Sequence, residues 1–203
     1  FAVMNGLIPN LGQDVENGAG LSADVVSWYT LTPYALAGLV MGPVAGSLAA
    51  KLGYKRILQI GLLGSTLGLL AAIFIADGPN RWVLLAISLF IGVTYAGIAN
   101  IMLNGLGVVL SPADNQGYLP GMNAGAFNLG AGISFAILFA VATIFADSGG
   151  GYAAGITAGA VIVGLAFLCS FLIPDPESIT DTLAAKAKAT AAAAATRSVS
   201  PKE

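Results

Sequence analysis

Long apolar stretches without a charged residue make up most of this chain. Five of them have 20 or more residues. They cover positions 25–50, 57–76, 82–113, 115–146 and 148–174. An α-helix rises about 1.5 Å per residue, so about 20 apolar residues cross a hydrocarbon layer of roughly 30 Å. The pattern therefore predicts an all-α, polytopic membrane protein with five full transmembrane helices.

The two ends of the chain differ from these stretches. Positions 1–10 (FAVMNGLIPN) are apolar but short, and we expect them to be the end of a transmembrane helix whose start is absent. Positions 11–174 then hold five full helices, and the resulting count of one partial and five complete crossings is typical of half a transporter. Positions 175–203 form a polar, alanine-rich tail, for which a short helix and disorder both remain open.

Counting the partial helix as span one, spans two to six are predicted at about 23–50, 57–76, 82–110, 118–146 and 152–173. Following the chain through these crossings puts seven of its eight basic residues on one side of the membrane. They are Lys51, Lys55, Arg56, Lys186, Lys188, Arg197 and Lys202. Basic residues near span ends favour the cytoplasm. We therefore expect this side, with the C-terminus, to be cytoplasmic in a cell inner (plasma) membrane protein.

Composition supports a protein whose main partner is the lipid bilayer. Apolar residues make up 57% of the chain and charged residues 9%, against roughly 25% charged in a soluble domain. A net charge of −2 gives no basis for binding nucleic acid. Histidine is absent and Cys169 is the single cysteine, so the usual transition-metal sites are not expected. The sequence indicates no cofactor.

Small residues recur at four-residue spacing along three of the spans. Close approach through such residues is how helices associate in lipid. The residues in question are Gly38, Gly42, Gly46 and Ala50 in span two, Gly121, Gly125, Asn128 and Gly132 in span five, and Gly151, Gly155 and Gly159 in span six. Static packing and surfaces that slide during transport are both compatible with this pattern.

The turn between spans two and three carries the most specific motif. It reads GSLAAKLGYKR from Gly46 to Arg56. Gly53 permits a chain reversal that costs other residues more. The spacing of Gly46, Lys51, Gly53 and Lys55 resembles the cytoplasmic loop motif G-x3-D-[RK]-x-G-x-[RK] of the major facilitator superfamily, with alanine at position 50 in place of the acid. The drug:proton antiporter branch is also similar at positions 111–117 and 121–132.

The resemblance implies the C-terminal six-helix bundle of a major facilitator fold, with its first helix truncated. A first half is expected to carry an arginine inside its fourth span and a Gly-Pro pair in its fifth, and this chain has neither. The missing acid at Ala50 also fits a second-half copy. The N-terminal half of the same transporter is therefore an expected partner.

The same resemblance implies that spans one, two, four and five line the substrate pathway. Asn100 and Asn104 are the leading candidates, because α-helical spacing puts them on one face of span four with Gly97 and Gly107. Further candidates are Asn123, Phe127 and Asn128 in span five, Tyr34 and Trp28 in span two, and Asn5 in span one. Amides in hydrocarbon need hydrogen-bond partners, so bonds that only hold helices together remain an alternative at these positions.

No Asp, Glu, Lys, Arg or His lies inside any predicted span. A proton-binding group for coupled transport must then lie in the missing half. Neutral walls favour hydrophobic or weakly polar small molecules. We accordingly predict a non-enzymatic transporter that works by alternating access, with proton-coupled multidrug efflux as the first hypothesis. A facilitator that imports a sugar or another metabolite is the alternative, and a membrane subunit without transport activity ranks below both.

Overall fold

The computed structural model describes residues 1–112, 114–146 and 150–174, so the tail at 175–203 lies outside the described residues. The described part folds into six helices without a strand. They are α1 (Ile8–Gln13, preceded by a π-helical turn at Val3–Leu7), α2 (Ala23–Leu52), α3 (Tyr54–Phe74), α4 (Arg81–Leu110), α5 (Tyr118–Ile144) and α6 (Gly151–Ser170). Helices α2 to α6 are long and apolar enough to cross a membrane, which confirms the predicted polytopic all-α fold.

Helix α2 is broken near the end at which it enters the bundle. Its two parts, Ala23–Tyr29 and Leu31–Leu52, meet at Thr30, whose backbone angles are φ −124° and ψ −80°. Pro33 explains the break, because it has no amide hydrogen for the carbonyl of Tyr29 and its ring crowds that carbonyl. The Thr30 hydroxyl donates to the carbonyl oxygen of Val26 at 2.9 Å, so this carbonyl near the break has a hydrogen-bond partner.

Helix α4 changes its winding halfway along. It is α-helical over Arg81–Ile91, π-helical over Gly92–Ala99 and α-helical again over Asn100–Leu110. A π-helix closes its hydrogen bonds at five-residue spacing, so it has more residues per turn than an α-helix. The sequence predicted continuous α-helical spacing here, and this prediction is wrong for the middle of α4.

Close packing through glycine is confirmed between several helices. A Cβ atom added to Gly61 of α3 would lie 2.7 Å from the backbone nitrogen of Ala99 in α4. A Cβ atom on Gly38 of α2 would lie 2.7 Å from that of Ala96, also in α4. Helix α3 packs along α6, and α5 crosses from α4 at one end of the bundle to α6 at the other.

The glycines of α5 do not pack closely against another helix in this way. A Cβ atom on Gly121, Gly125, Gly130 or Gly132 would meet no atom of the described chain within 4 Å. Leu138 is the one residue of α5 that is fully buried. Gly121, Gly125 and Gly132 share one face of α5, and this face is open within the described residues.

The bundle has two chemically different ends. The basic end carries Lys51, Lys55 and Arg56, and the acidic end carries Asp14 and Asp77. In the half next to the acidic end, the π-helical turn and α1 form the centre of the core through Met4, Leu7, Ile8 and Leu11. In the other half, the core joins α2, α3 and α4 through residues such as Ala45, Leu58 and Met102.

Candidate functional site

Two of the predicted site residues contact each other across helices α4 and α5. The Asn123 amide nitrogen donates a hydrogen bond to the Asn104 side-chain oxygen at 3.0 Å. Asn104 in turn donates to the carbonyl oxygen of Asn100, one helical turn away, at 2.9 Å. The helices approach closely here, because a Cβ atom on Gly107 would lie 3.4 Å from the nitrogen of Pro120. We call Asn100, Asn104 and Asn123 the amide patch.

A cleft of about 270 Å³ lies beside the amide patch in the basic half of the bundle. Helices α3, α4, α5 and α6 all contribute to its walls, which are mostly apolar. Lining residues include Leu58, Leu62, Tyr95, Asn100, Leu103 and Phe127. Asn100 thus connects the amide patch to the cleft, while Phe127 lies one turn from Asn123 along α5.

Sequence reasoning missed Tyr95, which lines the cleft together with Asn100. The two residues are five positions apart, a spacing that would separate them widely around an α-helix. The π-helical winding that ends at Ala99 reduces this separation. Gly97, which was expected on the Asn100 face, instead packs against Met41 of α2. The expected single face of Gly97, Asn100, Asn104 and Gly107 is therefore wrong.

The remaining predicted site residues lie away from the amide patch. Tyr34 packs against the core of the acidic half, and Asn5 donates to the carbonyl oxygen of Phe1 at 3.1 Å. Asn128 is exposed and donates to Ala124 of its own helix at 2.9 Å. Trp28 is 67% exposed near the acidic end. A substrate-lining role for these four stays a prediction.

The predicted loop motif forms a tight turn between α2 and α3. Gly53 has φ +87° and ψ 143°, a conformation that L-residues rarely adopt. The Lys55 ammonium donates to the carbonyl oxygen of Phe171 at 3.2 Å, which ties the start of α3 to the end of α6. Lys51 and Arg56 are exposed, and Gly46 lies inside α2 with open space beside it.

A second cavity, of about 250 Å³, lies at the acidic end between α1, α5 and α6. Asn10, Asp14, Asn17, Phe139 and Tyr152 line it. One carboxylate oxygen of Asp14 accepts from the backbone nitrogens of Glu16 and Asn17, both at 2.9 Å. The other accepts from the Tyr152 hydroxyl at 3.1 Å. Hydrogen bonding, chiefly from the Asn17 backbone, holds the pKa of Asp14 below its ordinary value.

Comparison with known proteins gives two matches. A family model described as Major Facilitator Superfamily matches residues 1–201. The uridine/deoxyuridine transporter of Lactococcus lactis subsp. cremoris (strain MG1363) is 59% identical over 179 residues. That alignment covers 86% of this chain and 37% of the relative, so the chain spans a little over a third of the relative's length.

Proposed function

This chain belongs to the major facilitator superfamily, and we propose that it forms part of a transporter that moves an uncharged nucleoside across a membrane. Its relative is a uridine/deoxyuridine transporter, which favours the metabolite carrier that the sequence left as an alternative. Neither match supports the drug:proton antiporter branch. We therefore replace the hypothesis of multidrug efflux with this alternative. The proposed protein is a transporter and not an enzyme.

The amide patch is the observation that carries the proposal. A carboxamide offers both a hydrogen-bond donor and an acceptor, as does the imide edge of a uracil base. Asn104 retains one amide hydrogen beyond its bond to Asn100, and Asn123 retains its side-chain oxygen. Phe127, one turn from Asn123 and 38% exposed, supplies an aromatic face on which a base can stack. No Asp, Glu, Lys or His lies in α4 or α5, and Arg81 at the acidic end is their single basic residue, which suits an uncharged solute.

The chain acts, on this proposal, with the remainder of a longer transporter. The open face of α5 at Gly121, Gly125 and Gly132 would pack against the N-terminal half, because small residues allow close helix contact. The amides of Asn104 and Asn123 would then face the path between the two halves, which rock around a central site.

We also propose that the basic end is cytoplasmic. Lys51, Lys55 and Arg56 lie together there in a short turn between two spans, where the bias of basic residues toward the cytoplasm is strongest. A cytoplasmic C-terminus, as expected from the sequence, belongs to the same proposal. The acidic end with Asp14 would then face outward from the plasma membrane.

Uptake and release of labelled uridine by cells that express the intact protein test the proposal. Asn104→Ala and Asn123→Ala should each lower uridine flux about tenfold, the effect of one lost hydrogen bond in a desolvated site. Thr157→Ala is the control, since Thr157 is exposed on α6 and bonds only to Ala153 of its own helix, and it should change flux less than about twofold. Export of drug-like dyes without any uridine flux would overturn the proposal in favour of multidrug efflux.

A further inference from the structure

The cavity at the acidic end has the composition of a ligand-binding site, and it is separate from the amide patch. Small-molecule sites combine mostly apolar walls with a few polar groups that fix orientation. Leu7, Phe139 and Ala142 supply the apolar side of this cavity, while Asp14 and Tyr152 supply a hydrogen-bonded polar pair. The cavity joins segments that are far apart in sequence, because Asp14 and Tyr152 are 138 residues apart.

Unused hydrogen-bonding capacity remains in this cavity. The Asp14 carboxylate accepts from the backbone nitrogens of Glu16 and Asn17 and from the Tyr152 hydroxyl, and the Asn17 side chain also interacts with it. The carboxylate lines the cavity and is only partly buried, so a ligand hydroxyl can reach it. Asn10 is exposed, and its side chain makes no hydrogen bond within the part of the chain that the structure describes. The cavity therefore offers a partly exposed carboxylate next to an unpaired amide.

The charge of the cavity limits what it can bind. Asp14 carries a negative charge, and neither lysine nor arginine is among the described lining residues. Phosphorylated or carboxylated ligands would meet uncompensated repulsion. Hydroxyl groups, in contrast, can donate to a carboxylate in a strong, charge-assisted hydrogen bond. The rings of Phe139 and Tyr152 add flat apolar surface for a heterocyclic base.

We propose that this cavity is a capture site for an uncharged nucleoside, with the Asp14 carboxylate accepting a ribose hydroxyl and Asn10 pairing with a further polar group of the ligand. The inference rests on the proposed function, and it adds a binding site distinct from the amide patch. In the proposed orientation the cavity faces outward, so a nucleoside binds here before it reaches the path between the two halves.

Protection from thiol labelling tests the capture site in the intact transporter. In a Cys169→Ser background, Thr143→Cys provides a reporter thiol on the cavity wall at a position without an assigned ligand contact, and Glu16→Cys provides a comparison thiol beside Asp14 that does not line the cavity. Uridine should slow the reaction of a membrane-impermeant maleimide with Thr143→Cys at least threefold. It should leave the reaction of Glu16→Cys unchanged, and uridine monophosphate should protect neither.

Asp14→Asn should raise the uridine concentration needed for protection about tenfold, since a neutral amide is a weaker acceptor than a carboxylate. Tyr152→Phe serves as a second variant where Asp14→Asn fails to reach the membrane. Tyr152→Phe should raise the uridine concentration needed for protection less than Asp14→Asn does, because it leaves the carboxylate charge in place. A merely structural Asp14–Tyr152 contact would give no ligand protection at all.

The two proposals fail separately. Uridine flux by the intact protein with equal labelling of Thr143→Cys in the presence and absence of uridine would overturn the capture site alone. Absence of uridine flux would overturn the proposed function, and with it the ligand assigned to this cavity.

Discussion

Asn123 of α5 donates a hydrogen bond of 3.0 Å to the side-chain oxygen of Asn104 in α4. It is a side-chain to side-chain hydrogen bond between two transmembrane helices, formed near the close contact of Gly107 with Pro120. Both side-chain amides keep unused hydrogen-bonding groups, because a carboxamide has two donor hydrogens and two acceptor positions. The pair can therefore hold α4 against α5 and still bind a solute.

The stabilising part of this interaction is expected to be small. A double-mutant cycle with Asn104→Ala, Asn123→Ala and the double variant should give a coupling energy near 0.6 kcal/mol and no more than about 1.7 kcal/mol, the range for hydrogen bonds between transmembrane helices. Unfolding in mixed micelles measures it. A coupling energy above about 3 kcal/mol, with uridine flux falling in proportion to the amount of folded protein, would show that the pair has a structural role only.

The turn between α2 and α3 provides a sharper stability prediction. Gly53→Ala should destabilise the folded protein by about 1–3 kcal/mol, because φ +87° with ψ 143° is strained for any residue with a Cβ atom. Gly46→Ala is the matched control from the same motif. Gly46 is helical with open space beside it, so alanine there should be neutral or stabilise by up to about 1 kcal/mol. Equal changes in the free energy of unfolding for Gly53→Ala and Gly46→Ala would contradict the claim that the turn requires glycine at position 53.

Helix contacts through glycine differ between α3 and α5. A Cβ atom on Gly61 would lie 2.7 Å from the nitrogen of Ala99 and 2.9 Å from the carbonyl oxygen of Thr94. These are backbone atoms that cannot rotate away, so Gly61→Ala should cost about 1–3 kcal/mol through overpacking.

Gly125→Ala should leave unfolding of this bundle unchanged within about 0.5 kcal/mol, since nothing in the described chain faces it. The free energy of unfolding of each variant in micelles is the measurement. A larger loss for Gly125→Ala than for Gly61→Ala would mean that α5 packs inside the bundle through its glycine face.

Sequence pattern predicted the spans well because the bilayer makes length and apolarity decisive. Helices α2 to α6 each begin and end within three residues of the predicted bounds. The first helix runs to Gln13, beyond the predicted limit at position 10. Gly53 was also predictable, since a short turn between two antiparallel spans demands an unusual backbone conformation.

Features that depend on contacts between helices were not predictable. The sequence identified Asn104 and Asn123 as candidates, but it could not show that they bond to each other, since nothing in one chain gives the rotation of α4 relative to α5. The π-helical segment Gly92–Ala99 moved Gly97 to the α2 side. Asp14 and Tyr152 were missed for the same reason, because their contact joins the two ends of the described chain.

The Asp14 interactions give a prediction for acid conditions. Hydrogen bonds, above all from the Asn17 backbone nitrogen, lower the pKa of Asp14 in the folded protein. The unfolded chain should titrate near the ordinary value of about 3.9. Because the folded pKa is the lower one, these bonds stabilise the protein fully above about pH 4, and this contribution is lost as the pH falls through the folded value.

Melting temperatures of the wild type and Asp14→Asn, compared from pH 7 to pH 3, measure this effect. The wild type should melt at the higher temperature at pH 7, and the difference should shrink as the pH falls below about 4. Tyr152→Phe should retain most of this pH dependence, because the main contribution to the lowered pKa comes from the Asn17 backbone and not from the Tyr152 hydroxyl. A difference between wild type and Asp14→Asn that stays constant across this range would mean that Asp14 acts through packing and not through its charge.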